Sequence, residues 1–169
     1  MVFMETERLI LRQVKPADAW IIYDYRNNPV CAQYQRGQTK DLDGIIKLIQ
    51  KRGQDTLSVE ENAMIGVALK DTDELIGEII VMPNDGAISL GYTFSYKHHR
   101  KGFAFEALSV LIYKLHTQFP EWEFICFTDP ENIASMKLLK KLGYDHLGYA
   151  QKISSEVFGK WVKSNPLEK

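Results

Sequence analysis

Within one short stretch of the chain the period of the hydrophobic pattern changes, and that change fixes what must lie on either side of it. Before it, Ile88, Leu90, Tyr92, Phe94 and Tyr96 alternate with the small or polar Ser89, Gly91, Thr93 and Ser95. A period of two predicts a strand over about 87–96. After it, Ala104, Ala107, Leu108, Leu111, Ile112 and Leu115 recur at helical spacing, and Pro120 stands beyond them. This predicts a helix from Gly102 to about Phe119. The turn between reads Lys97-His98-His99-Arg100-Lys101-Gly102. A helix start carries unpaired N–H groups and the positive end of the backbone dipole, where cations are disfavoured. Crowding cations there is consistent with an anion held in the turn, and Gly102 lets a ligand approach the backbone closely. The turn is therefore read as a phosphate or pyrophosphate site. The run alone leaves a solvated basic surface turn open as the alternative.

A chain of 169 residues can bury a substantial core, and no repeat, low-complexity segment or linker divides it. Residues 1–169 are expected to form a single domain. The formal net charge of -1 argues against a protein built for bulk nucleic-acid binding. Cys31 and Cys126 form no CxxC pair, so neither a disulfide framework nor a metal site is expected. The opening "MVFMETERLILR" mixes charges with apolar residues at once, unlike a signal peptide. No apolar run approaches the ~20 residues that span a membrane. A soluble, cytoplasmic protein with no membrane or nucleic-acid partner is expected.

Taken in order, residues 6–14 are expected as a first strand, with Leu9, Leu11 and Val14 on one face. Pro16 opens a helix to about Asn28. Thr39 is expected to cap a second helix with the stripe Leu42, Ile45, Ile46 and Ile49, closed at Arg52-Gly53. Strands over about 63–70, 75–83 and 87–96, separated by "DTDE" and "NDG", form an antiparallel meander. After the central helix, "FICFT" (124–128) is an apolar run suited to a strand buried on both faces. Asp129-Pro130 is expected to start a helix ending at Gly143. Two last strands, about 144–153 and 156–163, complete the chain, with Trp161 inward.

Ser135 precedes Leu138, Leu139 and Leu142 at helical spacing, so it lies on the apolar stripe, with Asn132 one turn before it. Such polar groups need partners. One reading is local: Ser135 bonds a helix carbonyl and Asn132 satisfies the helix start. The other follows from topology. Strand 124–128 is the natural parallel neighbour of strand 87–96 through the crossover helix. That places both residues at the C-terminal sheet edge beside the anion turn, where ligands of open α/β arrangements gather.

The order β-α-α-β-β-β-α-β-α-β-β, the anion turn, and the segments "ETERLILRQVKPADA", "LIGEI", "LGYTF", "KGFAFEAL" and "NIASMKLLKKLGY" together resemble the GNAT superfamily of acetyl-CoA-dependent N-acetyltransferases. The resemblance covers essentially the whole chain and is strongest to the branch acting on N-terminal alanine or serine of ribosomal proteins. It implies an α+β (α/β) GNAT fold: a mixed central sheet of about seven strands, splayed near the middle, with about four helices. It implies acetyl-CoA as co-substrate and no metal. The family's pyrophosphate loop falls on His99 to Ala104, so backbone amides from Arg100 through Lys101, Gly102, Phe103, Ala104 and Phe105 would hold the pyrophosphate. Phe94, Ser95 and Tyr96 match the strand that pairs with the pantetheine arm. Asn132 matches the asparagine that bonds that arm, and Ser135 the serine placed near the thioester sulfur, the one catalytic candidate.

Departures bear on the chemistry. His99 stands where Gln or Arg is usual, and Arg100 where glycine is common; neither removes a backbone donor. A tyrosine acid is frequent four residues after the serine, and here that position is Leu139. Ser89 and Leu90 stand where the branch often has Glu before Gly91-Tyr92, so no general base is assigned. The expected reaction is direct attack of a primary amine on the thioester, with a backbone N–H near Phe94 or Ser95 polarising the carbonyl and Ser135 serving the sulfur. The acceptor is a peptide or protein N-terminus or a small amine. A polyamine or antibiotic acetyltransferase and a non-catalytic CoA-binding module are the rivals, and a monomer or a homodimer is expected.

Overall fold

The computed structural model describes residues 1–168. Eight strands make one sheet: β1 (Val2–Glu5), β2 (Leu9–Arg12), β3 (Ala63–Leu69), β4 (Leu75–Asn84), β5 (Ala87–Phe94), β6 (Glu123–Thr128), β7 (Asp145–Ala150) and β8 (Ser155–Lys160). Their spatial order is β1-β2-β3-β4-β5-β6-β8-β7. Every neighbouring pair is antiparallel except β5 and β6, which are parallel and joined through the central helix. Five helices accompany it: α1 (Ala19–Arg26), α2 (Pro29–Ala32), α3 (Leu42–Arg52), α4 (Phe103–Gln118) and α5 (Ile133–Lys141).

The sheet separates two cores. On one face Leu9, Leu11, Ile79 and Val81 meet Leu108 and Leu111 of α4 and Leu139 of α5. On the other, Ile22 and Tyr25 of α1 and Ile45 and Ile49 of α3 pack on Met64 and Leu75. The α3 stripe is the clearest amphipathic signal in the chain, and Gly53 closes that helix as expected.

The mixed sheet is splayed at its middle. Although β5 has eight residues, its ladder with β6 holds only Ala87↔Glu123 and Ile88↔Phe124. Ser89 Oγ donates to Ile125 O at 2.7 Å as a last rung; beyond it the strands part. Residues after Ser89 on β5 therefore lack a strand neighbour on that side.

Several local expectations are corrected. The first strand runs over Leu9–Arg12 rather than 6–14, and an additional edge strand, Val2–Glu5, precedes it. Val14 packs in the core opposite to Leu9 and Leu11, because its odd offset from the strand puts it across the sheet. The helix expected to Asn28 ends at Arg26, and Asn28 caps the separate turn α2 through Val30 N. Asp41, not Thr39, caps α3 by accepting from Gly44 N at 2.9 Å. Asp129 Oδ1 accepts from Glu131 N in a turn, and α5 begins only after its true cap, Asn132. Trp161 lies outside the core, 42% exposed, stacked on His116 with ring centroids 3.7 Å apart. Among the described residues no helix is long and apolar enough to cross a membrane.

Candidate active site

The splay leaves a cleft of about 570 Å³ between the end of β5, the start of α4, the start of α5 and the segment around α2. Its two ends are built from different materials.

At the turn end, Arg100 and Gly102 both take left-handed conformations, with φ of 62° and 80°. Glycine carries that at no cost, whereas a side chain such as Arg100 costs on the order of 1–2 kcal/mol. Gly102 is the N-cap of α4 and offers no side chain to its first-turn amides, so those donors face out of the helix unpaired. Among the described residues the amides of Arg100, Lys101 and Gly102 meet no acceptor either. This arrangement suits an anion such as pyrophosphate. It is held from behind by Arg8. Its guanidinium donates to Lys101 O at 3.0 Å, pairs with Glu106 at 2.7 Å, and lies 4.3 Å from the Phe103 ring centroid. Glu106 also accepts from Thr6 Oγ1 at 2.6 Å and Arg8 N at 3.0 Å. Two segments that carried the family resemblance, one at the N-terminus and one on α4, are thus bonded to each other.

At the splay end, side chains face the cleft. Asn132 Oδ1 accepts from Ser135 N at 3.1 Å, which leaves the Asn132 amide nitrogen as a free donor. The Ser135 hydroxyl lies 2.7 Å from the Tyr92 hydroxyl. Burial pushes the Tyr92 phenol above its usual value, so it stays protonated. Gln35 Nε2 donates to Tyr92 O at 3.2 Å, and both the Cys31 thiol (3.3 Å) and His99 Nε2 (2.7 Å) bond Phe94 O. Burial raises the Cys31 thiol, which makes it a poor nucleophile.

Ser95 N donates to Ile76 O at 2.7 Å, inside the sheet. Amides alternate sides along a strand, so Phe94 N–H turns toward the gap. Of the two amides expected to polarise a carbonyl, only that of Phe94 is left for it. Gly77 is required opposite: a Cβ there would stand 2.7 Å from Thr93 O and 2.8 Å from the Phe94 ring, which explains the glycine of "LIGEI".

Beneath the splay end, on the other face, Glu78 is 1% exposed. It accepts from Arg26 Nε at 2.9 Å and Arg26 Nη2 at 2.5 Å, all on Oε1. Gln38 ties this pair to the strand by donating to Thr93 Oγ1 at 2.9 Å.

Of the residues singled out in the sequence, Phe94, Arg100, Gly102, Phe103, Ala104, Phe105, Asn132 and Ser135 line the cleft together. Ser95, Tyr96 and Lys101 do not. Tyr96 turns to the core under α1 and α3, and Lys101 presents its carbonyl to Arg8. Sequence reading missed Tyr92, Arg8 and Lys141. Tyr92 was indistinguishable from a core aromatic on an alternating strand, and Arg8 from a solvated charge. Lys141 belonged to an ordinary cationic helix end, yet its amine stands 4.1 Å from the Phe105 ring centroid at the cleft. No carboxylate lines the cleft.

Known proteins match this architecture. The family model described as "Acetyltransferase (GNAT) domain" matches residues 8–145. The [Ribosomal protein uS5]-alanine N-acetyltransferase of Escherichia coli (strain K12) is 30% identical, over 89% of this chain and 81% of that protein. Among solved structures, a GNAT-family acetyltransferase from Bacillus anthracis superposes with a TM-score of 0.79 at 20% identity, covering 94% of this chain and 96% of that one. A ribosomal L7/L12 alpha-N-protein acetyltransferase in complex with coenzyme A gives 0.78 at 12% identity, covering 95% and 97%. At such identities the superpositions speak for the fold, and the family match with the curated relative speaks for descent. The chain belongs to the GNAT family and is an N-acetyltransferase of that family.

Proposed function

We propose that the protein transfers an acetyl group from acetyl-CoA to a primary amine, the acceptor being a protein or peptide N-terminus or a small uncharged-chain amine. The observation that carries this is the continuity of the cleft: one space joins unpaired turn amides to Ser135 along the free edge of β5. That is the path of a long thioester with an anionic end. The amides of residues 100–105 would hold the pyrophosphate, Phe94 backbone and the Asn132 amide nitrogen the arm, and Ser135 the sulfur. Holding amine and thioester together supplies much of the rate, and the Phe94 N–H adds charge stabilisation at the carbonyl.

Two observations favour the N-terminus as acceptor. The relative at 30% identity is named for the N-terminal alanine of a ribosomal protein. The cleft lining holds no carboxylate to draw in a polycation, which weighs against polyamines.

The first experiment is a thermal shift with acetyl-CoA beside its analogue lacking the 3′-phosphate, followed by CoA thiol release over a panel of amines and peptides. At ligand about one hundred times Kd the stabilisation is about 2.7 kcal/mol, several degrees for a domain near this size. The expected result is a clear shift and release that depends on an N-terminal peptide. No shift at millimolar ligand overturns the cofactor reading. A shift without release by any amine makes the protein a CoA-binding module.

A further inference from the structure

We propose that Tyr92 is a positioning residue of the transfer step: across the open seam of the sheet its hydroxyl holds Ser135 as a hydrogen-bond donor aimed at the departing sulfur. This rests on the acetyl-CoA reading above.

The seam makes the contact possible. Tyr92 shares a sheet face with Leu90 and Phe94, the face on which α4 and α5 pack, and it lies on β5 beyond Ile88, where the ladder with β6 has ended. On that face the side chain reaches α5, and the two hydroxyls meet at 2.7 Å. Packing at such a site is satisfied by phenylalanine, so the hydroxyl asks for another explanation. A phenol is a far stronger acid than an aliphatic alcohol, which makes Tyr92 the donor and Ser135 Oγ the acceptor of the shared bond. Among the described residues Ser135 Oγ has no other partner. The carbonyl one turn back, Glu131 O, already accepts from Ile133 N and from the Tyr34 hydroxyl. The Ser135 hydrogen is then left for the cleft, and accepting from Tyr92 strengthens it as a donor.

In the step itself the amine nitrogen forms the C–N bond and the C–S bond breaks with its pair passing to sulfur. The nitrogen gives one proton to water, and the CoA thiolate later takes one from water, its ordinary pKa being about 8.5. Tyr92 and Ser135 move no proton to completion. Ser135 supplies a donor where negative charge develops on sulfur, Tyr92 holds it there, and the buried phenol remains neutral throughout.

The test measures kcat and KM for acetyl-CoA in the wild type, Tyr92→Phe, Ser135→Ala and the double variant. Acetyl-CoA hydrolysis serves as the assay if no amine of the panel turns over. Loss of the hydroxyl that positions this donor is expected to lower kcat about tenfold in Tyr92→Phe, with KM within about twofold and the acetyl-CoA thermal shift retained. Residues acting as one unit are not additive, so the double variant should be no slower than Ser135→Ala alone. An unchanged kcat in Tyr92→Phe overturns the proposal, as does a double variant whose loss is the product of the two. Loss of the thermal shift in Tyr92→Phe also overturns it, because the hydroxyl is then part of cofactor binding or of the fold. A wild type with neither shift nor thiol release overturns the acetyl-CoA reading and this proposal with it.

Discussion

At the turn end of the cleft, Arg100 and Gly102 are left-handed and the surface offered to a ligand is backbone N–H. At the splay end β5 is regular, and the surface is made of the Tyr92, Asn132 and Ser135 side chains. The two ends should answer differently to mutation. A backbone site depends on φ and on an unblocked N–H, so side chains there can drift; a side-chain site loses its function with one atom. The departures at His99 and Arg100 fall at the first kind of site. His99, which lines the cleft, spends its ring nitrogen on Phe94 O at 2.7 Å.

The largest effect tests what supports the splay end. Arg26→Met leaves Glu78 buried and unpaired under Thr93, and breaking such a pair costs about 3–5 kcal/mol. Urea denaturation should show this as a lowered midpoint. Adding Glu78→Gln should return most of the loss, since it is the orphaned charge that is costly. A loss under about 1 kcal/mol, in the range of a surface pair, would show that the splay end does not rest on this pair.

Next comes the turn end. Gly102→Pro forbids the φ of 80° and removes one of the cleft's amides. We expect acetyl-CoA affinity to fall about a hundredfold, near 2.7 kcal/mol, by calorimetric titration. Arg100→Gly should instead keep affinity within about threefold and hold or raise the Tm by a degree or two, because it relieves a left-handed side-chain position. A large affinity loss in Arg100→Gly would mean that the guanidinium, not the backbone, binds the phosphates, and the contrast between the ends would disappear.

How far the sequence reached follows the same division. The period switch at 97–102 located the turn, and the α4 stripe placed the helix, because backbone geometry leaves a periodic trace. The splay was legible only through the resemblance: nothing in "AISLGYTF" says that β6 stops pairing after Ile88. Tyr92 reads as core in the same way, since alternation gives a residue's face and not which hydroxyl on a packed helix it meets. Caps were shifted by a few residues where two good capping residues stood close together, Thr39 with Asp41 and Asp129 with Asn132. Trp161 was misplaced because its left-handed φ of 54°, just past the end of β8, breaks the alternation that pointed it inward.

The smallest effect concerns what holds the turn in place, and it separates the ends by pH. Burial pushes the Glu106 carboxyl up, but the Thr6 hydroxyl, the Arg8 amide and the Arg8 guanidinium outweigh it and hold the group below its ordinary value. A carboxylate whose folded value is depressed adds stability that is present above its unfolded value, about 4.3, and is lost as pH falls through the folded one. The Tm of the wild type should therefore exceed that of Glu106→Gln at pH 7, and the gap should narrow as pH falls below about 4.3. A gap unchanged down to pH ~3 would show that Arg8 and Thr6 hold the carboxyl as well when it is neutral. The hydroxyl pair of Tyr92 and Ser135 carries no group that titrates in this window. Acid should thus loosen the latch behind the turn while the hydroxyl pair itself does not titrate. Beneath that pair the buried Glu78, whose carboxyl burial pushes up, takes its proton before Glu106 does, so the two ends answer to acid in different order.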